Sequence, residues 1–248
     1  VKRINDITYD EKNGLKLDIY LPDKDLFDVF LYFHGGGFER GTKLNAETFA
    51  PDLADQGIAT VSIDYRMYPD AHFPDFIEDC ANATGWVVTN INSYGKAKRI
   101  FLGGSSAGGY ASMLLCFDKR YLQTAGVDAS AIDGYIHDAG QPTSHFNVLK
   151  EKGIDSRRII VDETAPMYFV GMEDEYPPMM FIVSDNDIEN RLEQTALMMS
   201  TMKHFGYDMS KVHYKLMNST HCAYRRKFDE NNKNELGKVI IEFIKKLA

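Results

Sequence analysis

Cysteine is scarce in this 248-residue chain, tryptophan occurs once, and no run of about eighteen apolar residues exists anywhere in it. Each shortage excludes something. Cys80, Cys116 and Cys222 have no metal-type spacing and, being three, cannot all pair, so reduced thiols and a cytoplasmic protein are expected. The missing apolar run argues against a bilayer-spanning helix. Basic residues are also in deficit: 28 Lys and Arg stand against 36 Asp and Glu, a net charge of −8, which argues against a nucleic-acid or anionic-membrane surface. There are no internal repeats, and neither G-x-x-x-x-G-K-[ST] nor G-x-G-x-x-G opens a helix, so no phosphate-bearing cofactor and no metal are expected. The opening Val1 to Asp6 lacks the apolar block of a leader, although a chain that starts at Val leaves a trimmed leader open.

What is present suits one domain over 1–248, with 44% apolar and 26% charged residues. Arg3 to Tyr9 and Leu15 to Leu21 alternate loosely around Lys12-Asn13-Gly14, which predicts an antiparallel hairpin. Short apolar runs follow at 29–33, 58–63, 99–102, 132–136, 179–183 and 212–216. Helical patterns separate most of them, the clearest running from Phe76 to Ile91 and from Leu236 to Leu247. Met198, Met199 and Met202 fall on another helix and read as core filler. The expected fold class is α/β: a mostly parallel eight-stranded sheet with the hairpin at its start and helices on both faces.

In such sheets the carboxyl ends of the strands carry function. The run ending at Leu102 enters Gly104-Ser105-Ser106-Ala107-Gly108, a G-x-S-x-G pattern between strand and helix that exposes Ser106 on a tight turn. The run ending at Phe33 enters His34-Gly35-Gly36-Gly37-Phe38, where backbone N–H groups can face a cavity without side-chain obstruction. His34 could shape that loop or act as a base. After Val183 comes Ser184-Asp185-Asn186-Asp187, with Asp187 preferred over Asp185 because it lies further into the loop. After Leu216 comes a polar loop ending at His221, and Cys222 beside it raises the weaker alternative of a thiol nucleophile. Ser106, Asp187 and His221 thus stand in the chain order of a nucleophile, an acid and a base at three strand ends.

These motifs, with Asp64-Tyr65-Arg66 and Pro177-Pro178, resemble the α/β-hydrolases of the hormone-sensitive-lipase-like esterase group, and they are also similar to small bacterial acetyl and feruloyl esterases. The resemblance implies an α/β-hydrolase fold and a Ser106–His221–Asp187 triad. It also implies an oxyanion hole from the amides of Gly35, Gly36 and Ala107. The expected activity is hydrolysis of short acyl esters, acetyl to butyryl, of a small molecule or a carbohydrate. Phe38, Tyr65, His137 and Tyr168 are expected in the substrate pocket, with Tyr68, Phe73 and Tyr176 nearby. Two features depart from the family. Ser184 replaces the usual glycine of the acid motif, and only 33 residues precede the glycine loop, too few for a helical cap. A small lid from 141–176 is expected instead. The alternatives are an arylformamidase, other amide hydrolase or peptidase of the same fold, and a non-catalytic binding protein. Oligomeric state is not legible.

Overall fold

The computed structural model describes residues 1–247. One sheet of eight strands organises it, in the order β1-β2-β4-β3-β5-β6-β7-β8. The strands are β1 (Lys2–Asp10), β2 (Leu15–Leu21), β3 (Leu26–Phe33), β4 (Ile58–Ile63), β5 (Lys96–Ser105), β6 (Gly134–Asp138), β7 (Met179–Asn186) and β8 (Val212–Thr220). β1 and β2 form the antiparallel hairpin, β2 runs antiparallel to β4, and every later pairing is parallel. Among the described residues no helix is long and apolar enough to cross a membrane.

The helices are α1 (Ala50–Asp55), α2 (Asp75–Asn90), α3 (Ala107–Phe117), α4 (Arg120–Thr124), α5 (Phe146–Glu151), α6 (Arg191–His204) and α7 (Glu235–Lys246). The alternation of the central strand explains both layers. On β3, Val29, Leu31 and Phe33 join one core with Phe76 and Ile77 of α2, Tyr110 and Leu114 of α3, and Met198 and Met202 of α6. Phe30 and Tyr32 point the other way, into a core with Leu53 of α1 and Ile240 and Phe243 of α7. A strand buried on both faces is apolar at nearly every position, which is why the sequence reads over 29–33 as a run without alternation.

β4 lies on one side of β3 and β6 on the far side of β5, so the connections leaving β3 and β5 diverge at the carboxyl ends of those two parallel strands. A crevice opens at such a reversal of strand order. The glycine loop after Phe33 and the turn after Ser105 both lie there.

Several strands are longer than their apolar runs. β5 spans Lys96–Ser105, where the run predicts 99–102, and β7 and β8 extend to Asn186 and Thr220. β6 is shifted to Gly134–Asp138, so His137 and Asp138 are strand residues although they are polar. They tolerate burial because each finds a partner inside. The Ser112 hydroxyl lies 2.9 Å from His137 Nδ1.

Asp138 is the centre of a buried polar knot. Its Oδ2 accepts from Ser105 Oγ at 2.5 Å, Ser105 Oγ in turn accepts from the Tyr32 hydroxyl at 3.1 Å, and Oδ1 accepts from the Tyr224 hydroxyl. Its main-chain carbonyl accepts from the Ser106 amide at 2.7 Å. One residue thereby fastens β3, β5 and the turn after β8 to the end of β6. Burial pushes the carboxyl from 3.8 up to about 6; the donors Ser105 and Tyr224 and the nearby His221 pull down, and Asp187 adds to the rise.

Between about pH 4 and pH 6 the folded protein binds more protons at Asp138 than the unfolded chain, so this group's contribution to stability falls as pH rises through that window. Asp138→Asn removes the titrating group. Denaturant unfolding of both proteins is expected to show the stability of the variant relative to wild type improving by on the order of 2–3 kcal/mol between pH 4 and pH 7. A difference that is the same at both pH values would contradict the assignment.

Candidate active site

The Ser106 turn is forced by steric contact. With Ser106 at φ 56° and ψ −113°, the chain passes from β5 to α3 in a single residue, a conformation that costs a non-glycine residue on the order of 1–3 kcal/mol. Gly108 lets the first turn of α3 lie directly on the end of β3: a Cβ there would sit 1.9 Å from the Phe33 carbonyl oxygen. Because α3 starts at Ala107, its first amides have no intrahelical acceptor and its positive dipole end faces the Ser106 hydroxyl.

His221, directly after β8, brings its Nε2 to 2.8 Å from Ser106 Oγ and its Nδ1 to 2.5 Å from Asp187 Oδ1. An ionised carboxylate accepts but does not donate, so the Nδ1 proton faces Asp187 and Nε2 is left to accept from the serine hydroxyl. The side chain of Asp187 is only 1% exposed. Burial raises its pKa, but the bond and charge of His221 and the amides of Ile188 and Ser184 outweigh it and hold the carboxyl below its usual range. Asp185 is placed elsewhere: it is exposed and accepts from the Ser219 amide at 3.0 Å, clasping β7 to β8. The ladder between β7 and β8 shifts register between Ser184 and Asn186, and this irregularity turns Asp187 rather than Asp185 toward His221.

The glycine loop lies beside the hydroxyl. A Cβ on Gly35 would come within 3.2 Å of Ser106 Cβ and 2.7 Å of the Ser105 carbonyl oxygen, so its main chain borders the nucleophile. Gly36 turns at φ +130°, and its carbonyl accepts from the amides of Glu39 and Arg40, each at 3.2 Å. His34 is fully buried, its Nδ1 lies 2.9 Å from the Gly35 carbonyl oxygen, and burial lowers its pKa to about 4. It stacks on Tyr65 at 4.1 Å, and the Tyr65 hydroxyl donates to the His34 carbonyl at 2.6 Å. This pair braces the loop, and His34 is out of reach of solvent.

Around Ser106 lies a cleft of about 840 Å³ lined by Gly35, Gly36 and Gly37, by Phe146 and Ile188, by His221 and Cys222, and by Arg40, Arg225 and Arg226. Four expected pocket residues are corrected here. Phe38 is fully buried and stacked on Phe76 at 4.0 Å, Tyr65 serves the loop, and His137 is enclosed with Phe117, Tyr135 and Phe181. Tyr168 is 42% exposed but does not line this cleft. An aromatic near a strand end faces core or cleft according to which side the backbone presents, and residue type is silent on that.

The stretch 141–176 packs closely at its start rather than standing off as a flap. Gln141, Thr143, Ser144 and His145 are buried, and Asn147 Nδ2 donates to the Gly37 carbonyl at 2.6 Å, which seats Phe146 in the cleft wall. Sequence reasoning missed Arg191, at the start of α6. Its buried guanidinium donates to the Ala139 carbonyl and, at 3.3 Å, to Gln141 Oε1, tying the helix behind Asp187 to the segment after β6. Cys222 is half-buried with Sγ 3.9 Å from His221 Nε2, and burial pushes its thiol well up, so Ser106 holds the better position for the imidazole. All three cysteines are free.

Comparison with known proteins places this arrangement. The segments aligned with the curated relatives cover less than half of each relative. They include a probable isoprenylcysteine alpha-carbonyl methylesterase of Oryza sativa subsp. japonica, 32% identical over 50% of this chain and 30% of its own length. Another is probable carboxylesterase 7 of Arabidopsis thaliana, 34% identical over 43% of this chain and 39% of its own length. Among solved structures, a truncated carbohydrate esterase from gut microbiota superposes with a TM-score of 0.80 at 18% identity, covering 100% of this chain and 96% of that one. A butyrate-bound thermophilic esterase of Thermogutta terrifontis gives 0.77 at 18% identity, covering 97% and 92%. These likenesses establish the α/β-hydrolase fold. Residues 17–148, from the second strand through the glycine loop and the serine turn to α5, match the BD-FAE family model, and the chain belongs to that family.

Proposed function

We propose that the protein is a serine carboxylesterase that hydrolyses short-chain acyl esters through an acyl-enzyme. The observation that carries this reading is the continuous contact from Asp187 through His221 to Ser106 Oγ, at 2.5 and 2.8 Å, beside a glycine loop. In this scheme His221 Nε2 takes the serine proton as Oγ attacks the ester carbonyl, and Asp187 stabilises the imidazolium. The tetrahedral oxyanion is held by the amides of Gly35, Gly36 and Ala107, donors that are fixed in place before the charge develops. His221 then protonates the leaving alcohol and, in the second half, activates the water that releases the acid.

Few apolar side chains line the cleft, Phe146, Ile188 and Ala223, which favours acetyl to butyryl groups over long acyl chains. The relatives point the same way. One neighbour of known structure is described with butyrate bound and also as phosphorylated by paraoxon, and another is a carbohydrate esterase. The substrate class is therefore a small-molecule or carbohydrate ester.

Two experiments test the reading. A fluorophosphonate probe is expected to label wild type once, on Ser106, and to leave Ser106→Ala unlabelled. The variant should lose at least about a thousandfold in kcat on 4-nitrophenyl acetate while keeping the wild-type fold by circular dichroism. Turnover retained by the variant removes Ser106 from the role. Separately, Asp187→Asn should cost on the order of 10³–10⁴ in kcat by losing the acceptor that fixes the imidazole tautomer, whereas Asp185→Asn should cost only a few-fold. The reverse ranking would assign the acid to Asp185.

A further inference from the structure

We propose that the cleft over Ser106 is built for an ester that carries an anionic group, held by Arg40, Arg225 and Arg226. This rests on the esterase reading above and narrows its substrate class. The three arginines reach the cleft from two directions, Arg40 from the end of the glycine loop and Arg225 and Arg226 from the turn after His221. They share the lining with the nucleophile and its base.

Their charge is uncompensated. Among the described residues none of the three is ion-paired, in a chain whose net charge is −8 and whose other surface arginines commonly face carboxylates, as Arg157 faces Asp155 and Arg120 faces Asp118. Arg225 Nη1 donates to the Asn45 carbonyl at 3.0 Å, which orients the guanidinium and leaves its charge free. Glu39, the one acid in the cleft lining, has its own partner in Lys150 at 3.6 Å. The field of Arg225 also reaches inward, where it contributes to the lowered pKa of His34 and opposes the rise at Cys222.

A concave site lined by one sign of charge concentrates field and attracts the opposite charge. Guanidinium forks suit carboxylate or another oxyanion in particular, through paired charge-assisted hydrogen bonds. In the same lining, Phe146, Ile188 and Ala223 give apolar surface for an acyl chain. The lining thus combines cationic and apolar side chains around the nucleophile. A substrate that uses both has its anionic group either on the leaving alcohol, as in an acylated sugar acid, or on the acyl chain, as in a half-ester of a dicarboxylic acid.

The test compares kcat/KM for two matched pairs at low and high salt. Mono-4-nitrophenyl succinate against 4-nitrophenyl butyrate places the anion on the acyl side, and 4-acetoxybenzoate against its methyl ester places it on the alcohol side. Wild type is expected to favour the anionic member of one pair by at least about tenfold at low salt, with the preference shrinking in several hundred millimolar NaCl. The pair that responds identifies the side. In Arg40→Gln/Arg226→Gln the anionic-to-neutral ratio should fall by about tenfold or more, and Arg225→Gln should lower it too. Neutral esters hydrolysed as well as or better than both anionic ones by wild type, or an equal loss on both members of a pair in the variants, would overturn the inference while leaving the esterase reading intact. No turnover of any ester, with no fluorophosphonate labelling, would overturn both.

Discussion

The structure depends on one close approach of main chain to main chain. The first turn of α3 rests on the end of β3 with no room for a side chain between Gly108 and the Phe33 carbonyl, and Gly35 lies against the Ser105 carbonyl, which an added Cβ would approach to 2.7 Å. Because these contacts are between backbones, the distance from nucleophile to glycine-loop amides is fixed by hard packing rather than by flexible side chains. The strained φ of Ser106 persists only because both flanks are over-determined: β5 lies between β3 and β6, and the Ser106 amide is bound by the Asp138 carbonyl.

Around that contact the polar groups divide by depth. Deepest is Asp138, which joins three strand ends and the turn after β8, and whose charged form burial disfavours. Nearer the surface is Asp187, whose charged form is favoured because an imidazole and two amides donate to it. Two carboxylates, one at the end of β6 and one just after β7, thus have opposite shifts from the same cause, the balance of burial against donors. At the mouth the balance is positive, with three arginines lacking carboxylate partners among the described residues. The first group holds the frame, the second orients the His221 imidazole, and the third lines the cleft.

Much of this was legible in the sequence, for definite reasons. The glycine and serine motifs could be read because backbone crowding admits few residue types, and the strands because burial on both faces demands apolar runs. His221 and Asp187 were legible from their places after strands. What failed was sidedness. Phe38, Tyr65 and His137 look like pocket aromatics, yet Phe38 is core, Tyr65 braces His34 and His137 bonds to Ser112. Asp138 and Arg191 gave no signal, since their partners come from segments up to 86 residues away. The arginines of the cleft gave none either, because only the folded chain brings the loop after β3 beside the turn after β8. Strand lengths were short for a simpler reason: the polar ends of β5, β7 and β8 carry no apolar pattern.

In the proposed mechanism Ser106 carries the acyl group between the two halves of hydrolysis. The most direct measurement is rapid-quench mass spectrometry of the protein turning over 4-nitrophenyl butyrate, with the quenched chain digested and mapped. A burst of nitrophenol close to one per active chain and a butyryl adduct on the peptide containing Ser106 are expected. Steady release of nitrophenol with no burst, together with an adduct on another residue such as Cys222, would contradict it.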